Sequence, residues 1–99
     1  MNSLQELKGF IESETTALAE EDGGCAMFED FEGEDYELEK VEIKDGQLVL
    51  KYFNEDGKFQ TQLEKENIDS LEIYKDQYGS FISGRDIDDE WFSIQMMRL

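Results

Sequence analysis

The sequence predicts an α+β domain: an N-terminal helix packed on a curved antiparallel sheet of five or six strands, connected as a meander. Three observations carry this. Apolar residues recur at helical spacing before Gly23-Gly24. Alternation at period two then runs from Tyr36 towards the end of the chain. Short turn signals separate the alternating runs, which suits hairpins rather than crossovers. Ninety-nine residues make one domain, 1–99, able to bury roughly two-thirds of its unfolded surface.

Asn2 to Asp22 reads as the helix. Ser3-Leu4-Gln5-Glu6 has the Ser-x-x-Glu form of a capping box. Leu4, Leu7, Ile11 and Leu18 form one apolar stripe, with Phe10 and Ala17 at its margins. Gly23-Gly24 ends the helix, one of the two in the left-handed cap conformation. Glu20, Glu21 and Asp22 fill the last turn, where carboxylates oppose the helix dipole by about 0.3–1 kcal/mol each.

Between helix and sheet lies a loop, with room for an added strand or short helix around Cys25–Phe31. Tyr36 and Leu38 sit on one phase of the first strand and Val41 and Ile43 on the other, which predicts a bulge near Glu39-Lys40. Asp45-Gly46 is a two-residue hairpin turn, because that dipeptide tolerates two positive φ values. Gln47 to Phe53 is the next strand. Asn54-Glu55-Asp56-Gly57 turns the chain into a strand with Phe59, Thr61 and Leu63 on one face. Lys65-Glu66-Asn67 reads as a connection and Ile68 to Lys75 as a further strand. Asp76 to Gly79 is a turn, Phe81 to Ser83 a short strand, Arg85 to Glu90 a charged loop, and Trp91 to Leu99 the last strand. No internal repeat is visible in the sequence.

The charge is the feature that bears on function. The chain has 26 acidic and 9 basic residues, no His, no Pro and one Cys. Ten of the acids lie between Glu20 and Glu39 (Glu20, Glu21, Asp22, Glu29, Asp30, Glu32, Glu34, Asp35, Glu37 and Glu39), with no Lys or Arg among them. A second cluster is Asp86, Asp88, Asp89 and Glu90. Met27, Phe28, Phe31, Tyr36 and Leu38 are threaded through the first block and anchor it to a core. These fourteen acids are the expected partner-binding residues. Neutralising Glu29, Asp30, Glu32, Glu34 and Asp35 together is expected to leave the fold intact or to stabilise it, by relieving self-repulsion.

Several chemistries are excluded or disfavoured by residue type. Without His there is no histidine triad and no histidine metal ligand. One Cys without His makes no structural zinc site. Cys25 among carboxylates is a poor nucleophile with a raised pKa, and reads as a small packed residue. Aligning Gly33, Gly46 or Gly57 with the glycine of a calcium-binding loop puts Phe28, Val41 or Tyr52 at the first ligand position, where an acid is required. Irregular, weak calcium binding by either acid cluster stays open. No enzyme activity, metal or cofactor is expected. The charge disfavours nucleic acid and anionic lipid as direct partners. With no basic leader, no apolar run of the ~20 residues of a membrane span, and one Cys, a soluble cytoplasmic monomer or homodimer is expected.

The acids therefore point to a basic protein. One reading is nucleic-acid mimicry: alternate acids along a strand recur about every 6.8 Å, half the density of one DNA strand at ~3.4 Å per charge. A mimic then needs a second row, from the helix end or from Asp86–Glu90. In size and charge the chain is similar to small acidic viral inhibitors of restriction, CRISPR and base-excision enzymes; the similarity is one of composition. The alternative is an immunity or regulatory protein that neutralises a basic toxin or nuclease without mimicry, anchored by aromatics from Phe28, Phe31, Tyr36, Tyr78 and Trp91. Trp91 also reads as ordinary strand packing. A third reading is an acidic domain whose charge serves solubility.

Overall fold

The structure, a computed structural model, describes residues 3–22 and 24–97, with every side chain among them except those of Glu21 and Asp22. The chain runs α1 (Leu4–Asp22), β1 (Met27–Glu29), β2 (Asp35–Lys44), β3 (Gln47–Asn54), β4 (Gly57–Leu63), α2 (Lys65–Asp69), β5 (Glu72–Asp76), β6 (Gly79–Arg85) and β7 (Trp91–Met97). The expected α+β class holds, with an N-terminal helix on an antiparallel sheet. The sheet has seven strands rather than five or six, in the order β4-β3-β2-β1-β7-β6-β5. It is not one meander. Two meanders, β1–β4 and β5–β7, are joined where β1 pairs with β7.

The N-terminus of α1 is capped by Ser3, whose Oγ accepts from the Glu6 amide at 3.1 Å. Its stripe is buried as the spacing requires: Leu7, Ile11 and Leu18 enter the core, and Leu4 and Phe10 pack against it. Gly24 closes the helix end by donating to the Leu18 carbonyl. The left-handed cap expected at one glycine does not fall on Gly24; Gly23, like Asn2, Arg98 and Leu99, lies outside the described residues.

The register of β2 on β3 shifts between Leu38 and Lys40, so the bulge lies where the change of phase puts it. Asp45 and Gly46 both have positive φ, 52° and 77°. Lys65-Glu66-Asn67 is no plain connection. Asn67 Oδ1 accepts from the Glu64 amide at 2.9 Å, and this cap turns the segment into α2, which buries Ile68. Ile68 is therefore a helical core residue rather than the start of a strand, and β5 begins only at Glu72.

The core cluster takes one phase of the sheet, that of Phe28, Tyr36, Leu38, Leu50, Tyr52, Phe92 and Ile94; Val49 is buried on the other face, outside that cluster. At its centre Phe28 stacks on Tyr52, ring centroids 3.9 Å apart, and lies parallel to Phe92 at 5.8 Å. Burying aromatics of this size dominates core energetics. The sheet bends around them. Ile87, between β6 and β7, donates its amide to the Gln62 carbonyl of β4, and Asn67 Nδ2 donates to the Asp86 carbonyl. The concave side thus holds the core and both helices, and the convex side has neither.

Candidate functional site: two acidic hairpin loops

The loop joining β1 to β2 and the loop joining β6 to β7 are built alike. In the first, the Asp30 amide donates to the Glu34 carbonyl and the Gly33 amide to the Asp30 carbonyl. Asp30 Oδ1 accepts the amides of Glu32 and Glu34 at 2.9 and 3.0 Å. In the second, the Asp86 amide donates to Glu90 and the Asp89 amide to Asp86. Asp86 Oδ1 accepts the amides of Asp88 and Glu90 at 2.8 and 3.1 Å. Each fourth residue is left-handed, Gly33 at φ 81° and Asp89 at φ 60°. That is the geometry of a three-residue hairpin loop closed by a bulge.

The two loops are neighbours. Glu29 pairs with Ser93 across β1 and β7, so the end of β1 lies beside the start of β7. At ~4.8 Å per strand the loops are about 10 Å apart. Their charges interact: desolvation, then the carboxylates of Asp86, Asp88, Glu32 and Asp30, hold the Glu90 carboxyl above its ordinary value. Glu29, Asp35 and Glu37 continue the first cluster onto the convex face, where Glu29 pairs with Asp35 and Met27 with Glu37. Arg85, at the foot of the second loop, turns back on that loop, donating to the Asp89 carbonyl at 2.8 Å.

The fourteen expected residues thus divide. Ten gather at this end: Glu29, Asp30, Glu32, Glu34, Asp35 and Glu37 with Asp86, Asp88, Asp89 and Glu90. Glu39 leaves the group, because the bulge sets it against Lys58 at 3.6 Å. Glu20, Glu21 and Asp22 are not brought in either. Gly24, just past them, packs beside the Met97 carbonyl, at the far end of β7. That is about 20 Å along the strand from Trp91. Of the two possible second rows, the structure joins Asp86–Glu90 to the first cluster and leaves the helix end apart.

Two of the ten carboxylates are structural. Asp30 spends Oδ1 on two loop amides and accepts the Tyr36 phenol on Oδ2. Asp86 is buried and spends Oδ1 likewise. The joint neutralisation expected to leave the fold intact thus includes one carboxylate, Asp30, that holds its loop together. Among the described residues, no three acids or thiols are grouped to hold a metal ion.

The aromatic anchors also divide. Phe28 and Tyr36 are core residues, 1% and 8% exposed. Tyr78 is exposed at the β5–β6 turn, beside Gly79, which pairs with Met97 at the other end of β7. Phe31 and Trp91 are exposed at the acidic end, and Ile87, which sequence reasoning missed, is exposed at the position equivalent to Phe31. The signal for the twin loops is Asp-Phe-Glu-Gly-Glu beside Asp-Ile-Asp-Asp-Glu, each followed two residues on by a buried aromatic, Tyr36 or Phe92. Cys25 is exposed rather than packed; desolvation, then Glu37, raises its pKa.

Among the described residues no helix is long and apolar enough to cross a membrane. Comparison with protein-family models, with curated proteins and with solved structures gives no match for this chain.

Proposed function

We infer that the chain is a small acidic protein-binding inhibitor that mimics nucleic acid and blocks the basic groove of a DNA- or RNA-binding protein, in the manner of anti-restriction, anti-CRISPR or repair-enzyme inhibitors. The observation that carries this reading is the pair of acidic loops side by side. A strand alone supplies half the linear charge of one DNA strand. Two loops ~10 Å apart supply the second row, at a separation between the ~6 Å minor and ~12 Å major groove widths of B-DNA. Segregation of the charges adds support. Glu42 bridges Lys40 and Lys51 at 3.3 and 2.8 Å on the β2–β4 side, away from the loops. The loop end keeps its anionic field, which steers a cationic partner and raises its on-rate.

A second reading has its own observation. Phe31, Ile87 and Trp91 stand exposed among the acids. Apolar anchors surrounded by charge suit an immunity-type protein dedicated to one basic toxin or nuclease. Duplex competition separates the two. A mimic is displaced from its partner by duplex DNA or RNA, whereas a binder at another surface forms a ternary complex. Neither reading requires catalysis by this chain.

A further inference from the structure

Directly paired residues on neighbouring strands share a face, and on the convex side the pairs line up across the sheet. Phe53 pairs with Glu37, Glu37 with Met27, Met27 with Gln95, Gln95 with Phe81, and Phe81 with Tyr74. One transverse row therefore carries four large apolar side chains from β3, β1, β6 and β5. The Tyr74 and Phe81 rings lie 6.2 Å apart. Tyr74 is 59% exposed, and Phe53, Met27 and Phe81 are half-buried. None belongs to the core cluster, which takes only residues of the opposite phase. Among the described residues neither helix covers them.

At β4 the row ends on Lys58, which pairs with Phe53 and lies 3.6 Å from Glu39; from β2 to β5 the row and the one on its loop side carry acids. Glu37 lies within it. The adjacent row carries Asp35 and Glu29 at one side and Glu72 at the other, with Ser93 and Ser83 between. The Ser93 hydroxyl, on a side chain 7% exposed, has no hydrogen-bond partner among the described residues.

We propose that this convex row is a docking surface for a cationic protein whose contact strip carries apolar side chains between its lysines and arginines. Charge complementarity selects that occupant. A second copy brings the same net charge of -17, and it, anionic lipid and nucleic acid are all repelled. A purely basic strip leaves the aromatic row wet, whereas large apolar area rimmed by charge is where binding energy concentrates. The inference rests on the basic-partner reading and extends it: the loops attract, and the row beside them holds.

The test uses the full chain and two synthetic peptides of equal length and equal positive charge, one alternating Lys with Leu and one alternating Lys with Ser. Amide chemical shifts map where each binds, and titration gives affinity. The Lys/Leu peptide binds about tenfold more tightly, with shifts centred on Met27, Phe53, Phe81 and Gln95. Tyr74→Ser, an exposed edge-strand change, removes part of that excess and leaves the Lys/Ser affinity unaltered. Equal affinities for both peptides, with shifts confined to the two loops, overturn the docking row while leaving the basic-partner reading in place. Failure of both peptides to bind overturns both. Self-association through the row, seen by sedimentation without peptide, also overturns the proposal.

Discussion

The Tyr36 phenol donates to Asp30 Oδ2 at 2.6 Å, while the other oxygen of the same carboxylate holds two amides of the acidic loop. One side chain thus ties the loop to the core, since Tyr36 packs edge-on against Phe28 and Tyr52. Hydrogen bonds to a charged group are worth about 1.5–3 kcal/mol each and are not additive. Asp30→Ala is therefore expected to cost about 2–3 kcal/mol, and Tyr36→Phe about 1–2 kcal/mol. Urea denaturation of the two variants and of their double mutant measures both costs and the coupling between them. A double mutant whose loss equals the sum of the singles would deny the link.

The surrounding acids behave in the opposite sense. Glu32, Glu34 and Asp35 are exposed and, among the described residues, form no ion pair with Lys or Arg. Their joint change to Gln, Gln and Asn relieves self-repulsion and raises the melting temperature by a few degrees, about 4–8 °C for each kcal/mol gained. Thermal melts at low and at high salt check this, and added salt should shrink the difference.

Alkaline pH acts through the same contact. The Asp30 bond first, and then burial, hold the Tyr36 phenol above its ordinary value; burial does the same for Tyr52. A raised folded pKa contributes stability that is complete below the ordinary tyrosine value, about 10, and is lost as pH rises through the folded value. Stability should therefore fall above about pH 10, and more gently in Tyr36→Phe. Parallel denaturation curves and ultraviolet titration of the phenols test it. Glu90 works at the acidic end. Its raised carboxyl means that Glu90→Gln stabilises the fold at neutral pH and that this gain disappears as pH falls below the folded pKa.

The twin loops differ at their left-handed residue, and that difference is testable. Gly33 adopts φ 81° without penalty, whereas Asp89 adopts φ 60° with a side chain attached. Gly33→Ala should lose about 1 kcal/mol from backbone strain alone, since among the described residues nothing beyond its chain neighbours lies within 4 Å of the added methyl. Asp89→Gly should be neutral or stabilising by less than about 1 kcal/mol. Chemical denaturation of the two variants measures the asymmetry; equal losses in both would mean the loops are not equivalent.

Features written in local chemistry were legible in the sequence. The α1 stripe, the Asp45-Gly46 turn and the bulge beside Glu39 each follow from the spacing of a few adjacent residues. The strand β1 was legible only as one of two options, an added strand or short helix around Cys25–Phe31, and its pairing was not, because only Met27, Phe28 and Glu29 form it and its partner Ile94 is 66 residues from Phe28 along the chain. Nothing near Phe28 announces that pairing, yet it places β1 in the middle of the sheet and sets the two loops side by side. Ile68 was misread for the opposite reason. Its alternation with later apolar residues mimics a strand, and a cap at Asn67 overrides it. At the site, the acids could be named from the sequence. Their sorting could not, since the separation of Glu20 from the loops and the structural use of Asp30 and Asp86 depend on long-range pairing and on backbone amides.

On the proposed function, the carboxylates of the paired loops engage the nucleic-acid groove of a basic protein. The decisive measurement is retention of nucleic-acid-binding proteins from lysate on the immobilised chain, compared with a Glu32→Gln, Glu34→Gln, Asp88→Asn, Glu90→Gln variant, with duplex DNA and RNA as competitors. A basic protein held by the wild type, displaced by duplex and lost from the variant is the expected result. Retention that is the same on the variant, or that duplex leaves untouched, would contradict it.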